Sequence, residues 1–312
     1  MPDLPLADPA AVSPPPLALP SPVRAVVRAL RPHQWAKNGL AALPAALAHT
    51  IGEPAVWTSV AVAVAALSLC ASGTYVVNDL VDREHDRRHP TKRHRPFASG
   101  ALSVRTGVAM AVGLVGGAFA LAAAFLPGLF VVVLGMYVAV TLAYSLALKS
   151  QPLVDVFVLA GLYALRVVAG GAATATPLCE WLLAFSLFFF LGLAFLKRYV
   201  ELRRMETGEA PAANGRGYLA GDASLVRSVG PATGLFAALV LALYLTSPEV
   251  RVLYSQPAIL WAAIPPILFW TMRMWLLAHR GEMNDDPVLH AIRDPGSYAV
   301  AAIVAVALFA AS

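Results

Sequence analysis

Residues 78–100 read Asn-Asp-Leu-Val-Asp-Arg-Glu-His-Asp-Arg-Arg-His-Pro-Thr-Lys-Arg-His-Arg-Pro-Phe-Ala-Ser-Gly, in a chain that is apolar almost everywhere else. Asp79, Asp82 and Asp86 stand at i, i+3 and i+7, so a helix from Leu80 to Asp86 places three carboxylates on one face. Three such groups repel one another unless something cationic sits among them. A hard divalent cation such as Mg2+ fits, because it takes oxygen ligands and accepts phosphate oxygens beside them. Asn78 offers a neutral oxygen to the same set. Pro90 ends the helix, and Arg87, Lys92, Arg93 and Arg95 supply positive charge next to the acids. Arg suits two-pronged contacts to phosphate and Lys supplies a point charge. The chemistry is that of a Mg2+–diphosphate site. A solvated loop whose charges only set topology would not need the helical spacing.

Three further constellations carry charge where an apolar chain must justify it. Tyr144 and Lys149 precede Asp155, which falls in the first turn of an apolar stretch, and Arg166 follows eleven residues later in the same stretch. A charge at that depth is costly, so it faces a cavity, a partner or a structural ion pair. Lys197, Glu201 and Arg204 share a helix face at i, i+4 and i+7, with Arg198 beside them. Arg31, Lys37 and Asn38 sit just before the first long apolar run. The plain alternative for the last two groups is topology anchoring or contact with lipid headgroups. The loop from Gly208 to Gly221 reads as a mobile lid. His33, His85, His89 and His94 form no zinc pattern, and Cys70 and Cys179 read as free thiols.

The elements that must hold these residues follow from composition. Of 312 residues, 59% are hydrophobic and 13% charged, against about 25% charged in an ordinary soluble domain. The formal charge of +5 sits in short loops rather than on a basic module, which argues for the positive-inside rule and against nucleic acid. Apolar runs near 36–51, 56–77, 103–125, 128–147, 153–174, 179–198, 227–247, 256–278 and 297–312 predict an all-α polytopic membrane protein of about nine transmembrane helices. An amphipathic interfacial helix is predicted from Val23 to Lys37. Residues 1–22, rich in Pro and Ala, read as a disordered tail ahead of a single domain over 23–312. The opposite loops hold only Arg251, so the N-terminus and the charged mouth are predicted on the cytoplasmic side of the plasma membrane. A homo-oligomer is compatible with all of this.

With these residues in hand, the chain resembles the UbiA superfamily of intramembrane prenyltransferases. The resemblance rests on NDxxDxxxD (Asn78, Asp79, Asp82, Asp86), on YxxxxK (Tyr144, Lys149) and on the number of spans. Within the superfamily, RPxQWxKN (31–38), DRxHPxKRxRPxASG (86–100), YSxxLKxxPLxD (144–155) and KRxxEL (197–202) are similar to the decaprenyl-phosphate phosphoribosyltransferase branch. That resemblance implies a UbiA-like bundle, phosphoribosyl diphosphate (PRPP) as donor, a polyprenyl phosphate as acceptor, and a lipid product that feeds lipid-linked arabinose. It also implies that Asn78, Asp79, Asp82 and Asp86 hold Mg2+. Lys92, Arg93 and Arg95, with Arg87, would hold the departing diphosphate. Lys197, Arg198 and Arg204, backed by Lys37 and Lys149, would hold the other phosphates. The aromatic prenyltransferases carry a second aspartate-rich motif after the sixth span, which residues 197–226 lack. A basic second half suits extra phosphates; the alternative is transfer of a prenyl group from prenyl diphosphate to an aromatic acceptor. A transporter is disfavoured, since charge gathers at one mouth and no inverted pair of broken helices is evident.

Overall fold

The computed structural model describes residues 21–50, 52–88, 92–209, 216–283 and 286–312. Residues 1–20 of the expected tail, Pro90, and 210–215 of the expected lid lie outside the described residues. The elements are α1 (Pro22–Leu30), a 3₁₀ segment (Pro32–Ala42), α2 (Leu43–Leu47), α3 (Pro54–Val81), α4 (Arg83–Arg88), α5 (Val104–Phe125), α6 (Gly128–Leu146), α7 (Val154–Thr174), α8 (Glu180–Glu206), α9 (Ala223–Leu245), α10 (Pro248–Leu253), α11 (Ile264–Arg280), α12 (Pro287–Ala291) and α13 (Pro295–Ala311).

Among the described residues, seven helical stretches are long and apolar enough to cross a membrane: α3, α5, α6, α7, α8, α9 with the turn before it (Ala220–Leu245), and α11 with the 3₁₀ turn before it (Pro257–Arg280). The outward faces of α5 and α6 remain apolar, with Val112, Phe125 and Leu129 each more than three-fifths exposed. Such a surface belongs in lipid rather than water, and the chain is a multi-pass membrane protein. The other two expected spans differ in form. The first, near 36–51, is the 3₁₀ segment followed by the single short helix α2. The last is α13, with 17 residues.

The amphipathic helix is also shorter than expected. α1 stops at Leu30 because Arg31 adopts a left-handed conformation (φ 51°), and Pro32 then opens the 3₁₀ segment. Pro cannot donate the next helical hydrogen bond, so the turn is a natural break. Its small residues Ala25 and Ala29 are buried, and Ala29 packs with Val76 of α3.

Two cores share α7. One joins α7 to α8, α9 and α11 through Val156, Val167, Phe195, Leu202, Val226 and Met274. The other joins α7 to α3, α5 and α6 through Leu67, Ala118, Leu134 and Ala169. Small residues let the helices approach closely, as membrane packing requires. Gly170 is the sharpest case: a Cβ there would lie 2.0 Å from the Ala41 carbonyl oxygen. Only glycine lets α7 press against the 3₁₀ segment, and that contact brings Lys37 and Asn38 beside Arg166.

Candidate active site

The acidic face forms at the end of α3. Asp79 lies in its last turn, Asp82 caps it, and Asp86 belongs to α4. The helix therefore breaks at Asp82, but the bonds from Asp82 N to Asn78 O (2.9 Å) and from Asp86 N to Asp82 O (2.8 Å) carry the helical register across. The carboxylates stay on one side. Cationic side chains hold them together: Arg31 donates to Asp79 (2.6 Å), and Arg95 Nη1 donates to both Asp79 (3.1 Å) and Asp86 (2.8 Å). Lys149 donates to both oxygens of Asp82, at 3.1 and 2.9 Å. Among the described residues no three His, Cys, Asp or Glu side chains converge into a ready metal cage. The donor chemistry nevertheless fits Mg2+. Asn78, Asp82 and Asp86 present hard oxygens to one cavity, and Arg95 and Lys149 stand where that face demands positive charge.

The cavity, of about 580 Å³, runs inward from this face. Among the described residues, eight cationic side chains line it, Arg31, Lys37, Lys92, Arg95, Lys149, Arg166, Lys197 and Arg216, and three carboxylates face them, Asp82, Asp86 and Asp286. Segments far apart in sequence, before α2, after α3, after α6, at the end of α8 and before α12, thus meet at one mouth. The imbalance makes the cavity a receptor for anions.

Its deep end is built around Arg166, 6% exposed near the middle of α7. Arg166 donates to Asn38 Oδ1 (2.9 Å), Leu162 O (2.6 Å) and Tyr137 OH (2.9 Å). Asn38 is itself fixed by its donation to Ser68 Oγ (3.0 Å). Every one of these acceptors is neutral, so the guanidinium keeps its charge for the cavity. Lys197 lines the same space, and it too has no carboxylate within ion-pair distance among the described residues. Lys37 differs: it is clamped by Asp286, which also caps α12 by accepting from Val288 N and Leu289 N. Burial alone would raise the Asp286 pKa, but Lys37 and Lys197 outweigh it and hold the carboxyl below the usual range.

A second carboxylate–guanidinium cluster lies behind the wall. Arg198 is fully buried and pairs with Asp155 and Glu201. It does not line the cavity where the phosphates were expected to meet it, and is sealed in the core instead. The reason was visible in α8: Arg198 falls three residues after Phe195 and four before Leu202, both buried, and so shares the core face. Asp155 is likewise buried, and Glu201 sits nearby between Arg198 and Arg216. Tyr144 lines the cavity and accepts from Arg216 Nη1 (2.9 Å).

Other expected residues fall outside the cavity wall. Arg87 is exposed and bonds Ala98 O (3.1 Å) and Glu84 (3.0 Å). Arg93 is exposed on the 3₁₀ turn Lys92–His94. Arg204 is half-buried beyond the lining, and Asp79 stands just behind it. Of that turn and its neighbour, Lys92 and Arg95 do reach the cavity; burial, with Arg95 next, lowers the Lys92 pKa. Among the lining residues that sequence reasoning did not assign are Asp286, Arg216 and Tyr163, all on segments remote from the acidic motif.

A hard-oxygen face in a cavity where cations outnumber carboxylates, with Arg166 and Lys197 outside any ion pair among the described residues, can hold a polyphosphate and at least one more anionic group. Comparison with known proteins agrees in kind. The profile of the UbiA prenyltransferase family matches residues 39–292. An uncharacterized protein, y4nM of Sinorhizobium fredii, is 37% identical over 91% of this chain and 55% of its own length. The decaprenyl-phosphate phosphoribosyltransferase of Mycobacterium tuberculosis is 42% identical over 60% of this chain and 64% of its own length. The chain thus spans roughly half to two thirds of these curated relatives. In fold it matches a UbiA homolog from Archaeoglobus fulgidus bound to DMAPP and Mg2+, with a TM-score of 0.67, 18% identity, and coverage of 92% of this chain and 98% of that one.

Proposed function

This chain belongs to the UbiA prenyltransferase family, and from that premise we propose that it transfers a 5-phosphoribosyl group from PRPP to a polyprenyl phosphate in a Mg2+-dependent reaction. The observation that carries the reading is the placement of Arg166 and Lys197. Both line the cavity away from the acidic motif, and neither forms an ion pair with a carboxylate among the described residues. A single diphosphate with its metal is served by the acidic face and the cations beside it. Further cations deeper in suit further phosphates, one on the ribose and one on the lipid. The 42% identity to a decaprenyl-phosphate phosphoribosyltransferase supports the same substrates.

Asp82 and Asp86, with Asn78, would hold Mg2+, and Asp79, just behind the wall, would hold Arg31 and Arg95 beside them. When bound, the metal supplies neutralisation of the diphosphate charge. Lys92, Arg95 and Lys149 surround that face and stabilise the diphosphate as it departs with the electron pair of the C1–O bond. The new bond forms between C1 of the ribose and a nonbridging oxygen of the polyprenyl phosphate, which is already anionic at neutral pH. No proton has to be removed, and no cavity carboxylate needs to serve as a base. Attack from the face opposite the diphosphate inverts C1. Arg166, Lys37 and Lys197 hold the remaining phosphates at fixed distance, so the rate comes from positioning and charge. The product is a polyprenyl-phosphoryl 5-phosphoribose, a lipid precursor for arabinose transfer. The gathering of basic residues in the loops at this mouth supports a cytoplasmic orientation in the plasma membrane.

Purified protein is given ribose-labelled PRPP with polyprenyl phosphate, and separately a labelled prenyl diphosphate with 4-hydroxybenzoate. Label entering the lipid extract in the first mixture, and no prenylated acid in the second, is the expected result. Prenyl transfer without phosphoribosyl transfer overturns the reading in favour of an aromatic prenyltransferase.

A further inference from the structure

The segment that begins at Arg216 enters the cavity between α8 and α9, and the structure binds it down tightly. Gly217 has φ +73°, and a Cβ there would lie 2.5 Å from Ser150 O and 3.0 Å from the Pro152 ring. The segment is therefore pressed against the turn that leads into α7. That turn is itself strained, since Leu153 has φ 66° without being glycine. Tyr218, 5% exposed, joins the two. Its hydroxyl donates to Asp155 Oδ1 (2.7 Å) and accepts from Leu153 N (2.8 Å). The Arg198 guanidinium lies 5.2 Å from the centre of the Tyr218 ring, and pairs with Asp155 and Glu201 beneath it.

Arg216 is the one charged group of this assembly that lines the cavity; Asp155 and Arg198 are sealed and Glu201 lies behind. Its aim is set from two sides: Nη1 donates to Tyr144 OH (2.9 Å) and Nε lies 3.4 Å from Glu201 Oε2. We propose that Arg216 is a ligand for the diphosphate of the soluble donor, and that Tyr218, held on Asp155, is the residue that positions it; this rests on the phosphoribosyl reading above.

The choice of donor over acceptor follows from the neighbours. Arg216 is held on Tyr144 (2.9 Å), five residues before Lys149, whose ammonium donates to both oxygens of Asp82. Arg216, Tyr144, Lys149, Lys92, Asp82 and Asp86 line one cavity, and this side of it is the one on which the acidic motif would hold the diphosphate. A guanidinium anchored at Nε and Nη1 has its plane fixed, which suits two-pronged contact to phosphate.

The test uses the full-length protein in detergent. KM is measured for PRPP and for polyprenyl phosphate separately, together with PRPP binding in the absence of acceptor. Arg216→Ala is expected to raise KM for PRPP by roughly 10- to 100-fold and to leave KM for the lipid unchanged. Arg216→Lys should recover part of the loss. Tyr218→Phe keeps the ring beneath Arg198 and removes only the hydroxyl; it should raise KM for PRPP by about 3- to 10-fold. If Tyr218 acts through Arg216, the double variant is no worse than Arg216→Ala alone. Unchanged KM for PRPP in Arg216→Ala, or equal rises for both substrates, removes Arg216 from the donor site. Additive losses in the double variant reduce Tyr218 to a structural residue and overturn its positioning role. Wild-type protein that neither binds nor turns over PRPP overturns the phosphoribosyl reading itself, an outcome distinct from wild-type binding that Arg216→Ala retains.

Discussion

At the end of α3, Asp82 shares Lys149 with both side chains 28% exposed; at the start of α7, Asp155 shares Arg198 with both fully buried. The residue types are alike and the surroundings decide what they can do. In the first cluster the cations are long side chains at a cavity wall, and water or a ligand can take their place. In the second, separation would strand two charges without solvent, which is far costlier than any contact it could gain. The first cluster is therefore built to exchange partners. The second is built to hold α7, α8 and the Tyr218 segment in one arrangement.

The widest separation between the two should come from Asp82→Ala and Arg198→Ala. Asp82→Ala is expected to lower transfer by about 1,000-fold or more while the thermal midpoint in detergent stays near wild type. Near-normal activity would remove the acidic face from the site. Arg198→Ala should do the reverse in kind: it breaks a buried pair and costs about 3–5 kcal/mol of stability, read as a large fall in the thermal midpoint. A stable Arg198→Ala protein with a selective kinetic defect would erase the distinction drawn above.

A smaller effect is expected at Lys197, adjacent to Arg198 in sequence but on the cavity side. Lys197→Ala should raise KM for one phosphate-bearing substrate by roughly 10- to 100-fold, with little change in stability. Unchanged kinetics for both substrates would place it outside the site. The smallest effect concerns the Lys37–Asp286 clamp. The Asp286 pKa is depressed below its ordinary value of 3.8, so its stabilisation is complete above that value. It is lost as pH falls through the lower folded-state pKa. Stability profiles of wild type and Asp286→Asn should therefore converge only in that acid range; convergence near neutral pH would contradict the clamp.

Much of this was readable from the chain because it is local. Asp79, Asp82 and Asp86 lie within one helical stretch, and period alone puts them on one side. Arg166 announces itself by the cost of a charge inside an apolar run. What escaped is what depends on distant segments. Asp286 meets Lys37 across 249 positions, and no period relates them. Arg216 follows a stretch with no repeating pattern. Arg198 was misread for a different reason: basic residues at a helix end suggest a mouth, but its neighbours Phe195 and Leu202 mark the inward face. The first expected span also differed, because apolarity and length do not distinguish a 3₁₀ segment from an α-helix.

Arg166 has one more consequence. It sits near the middle of a helix long enough to cross the membrane, and its hydrogen-bond acceptors among the described residues are all neutral. An anion drawn to it travels through part of the transmembrane voltage drop, worth about 2.3 kcal/mol per elementary charge for a full crossing at 100 mV. Substrate capture should therefore be voltage-sensitive in sealed vesicles with an imposed potential, and Arg166→Gln should flatten that response. The polarity that favours binding reports from which side the mouth is filled.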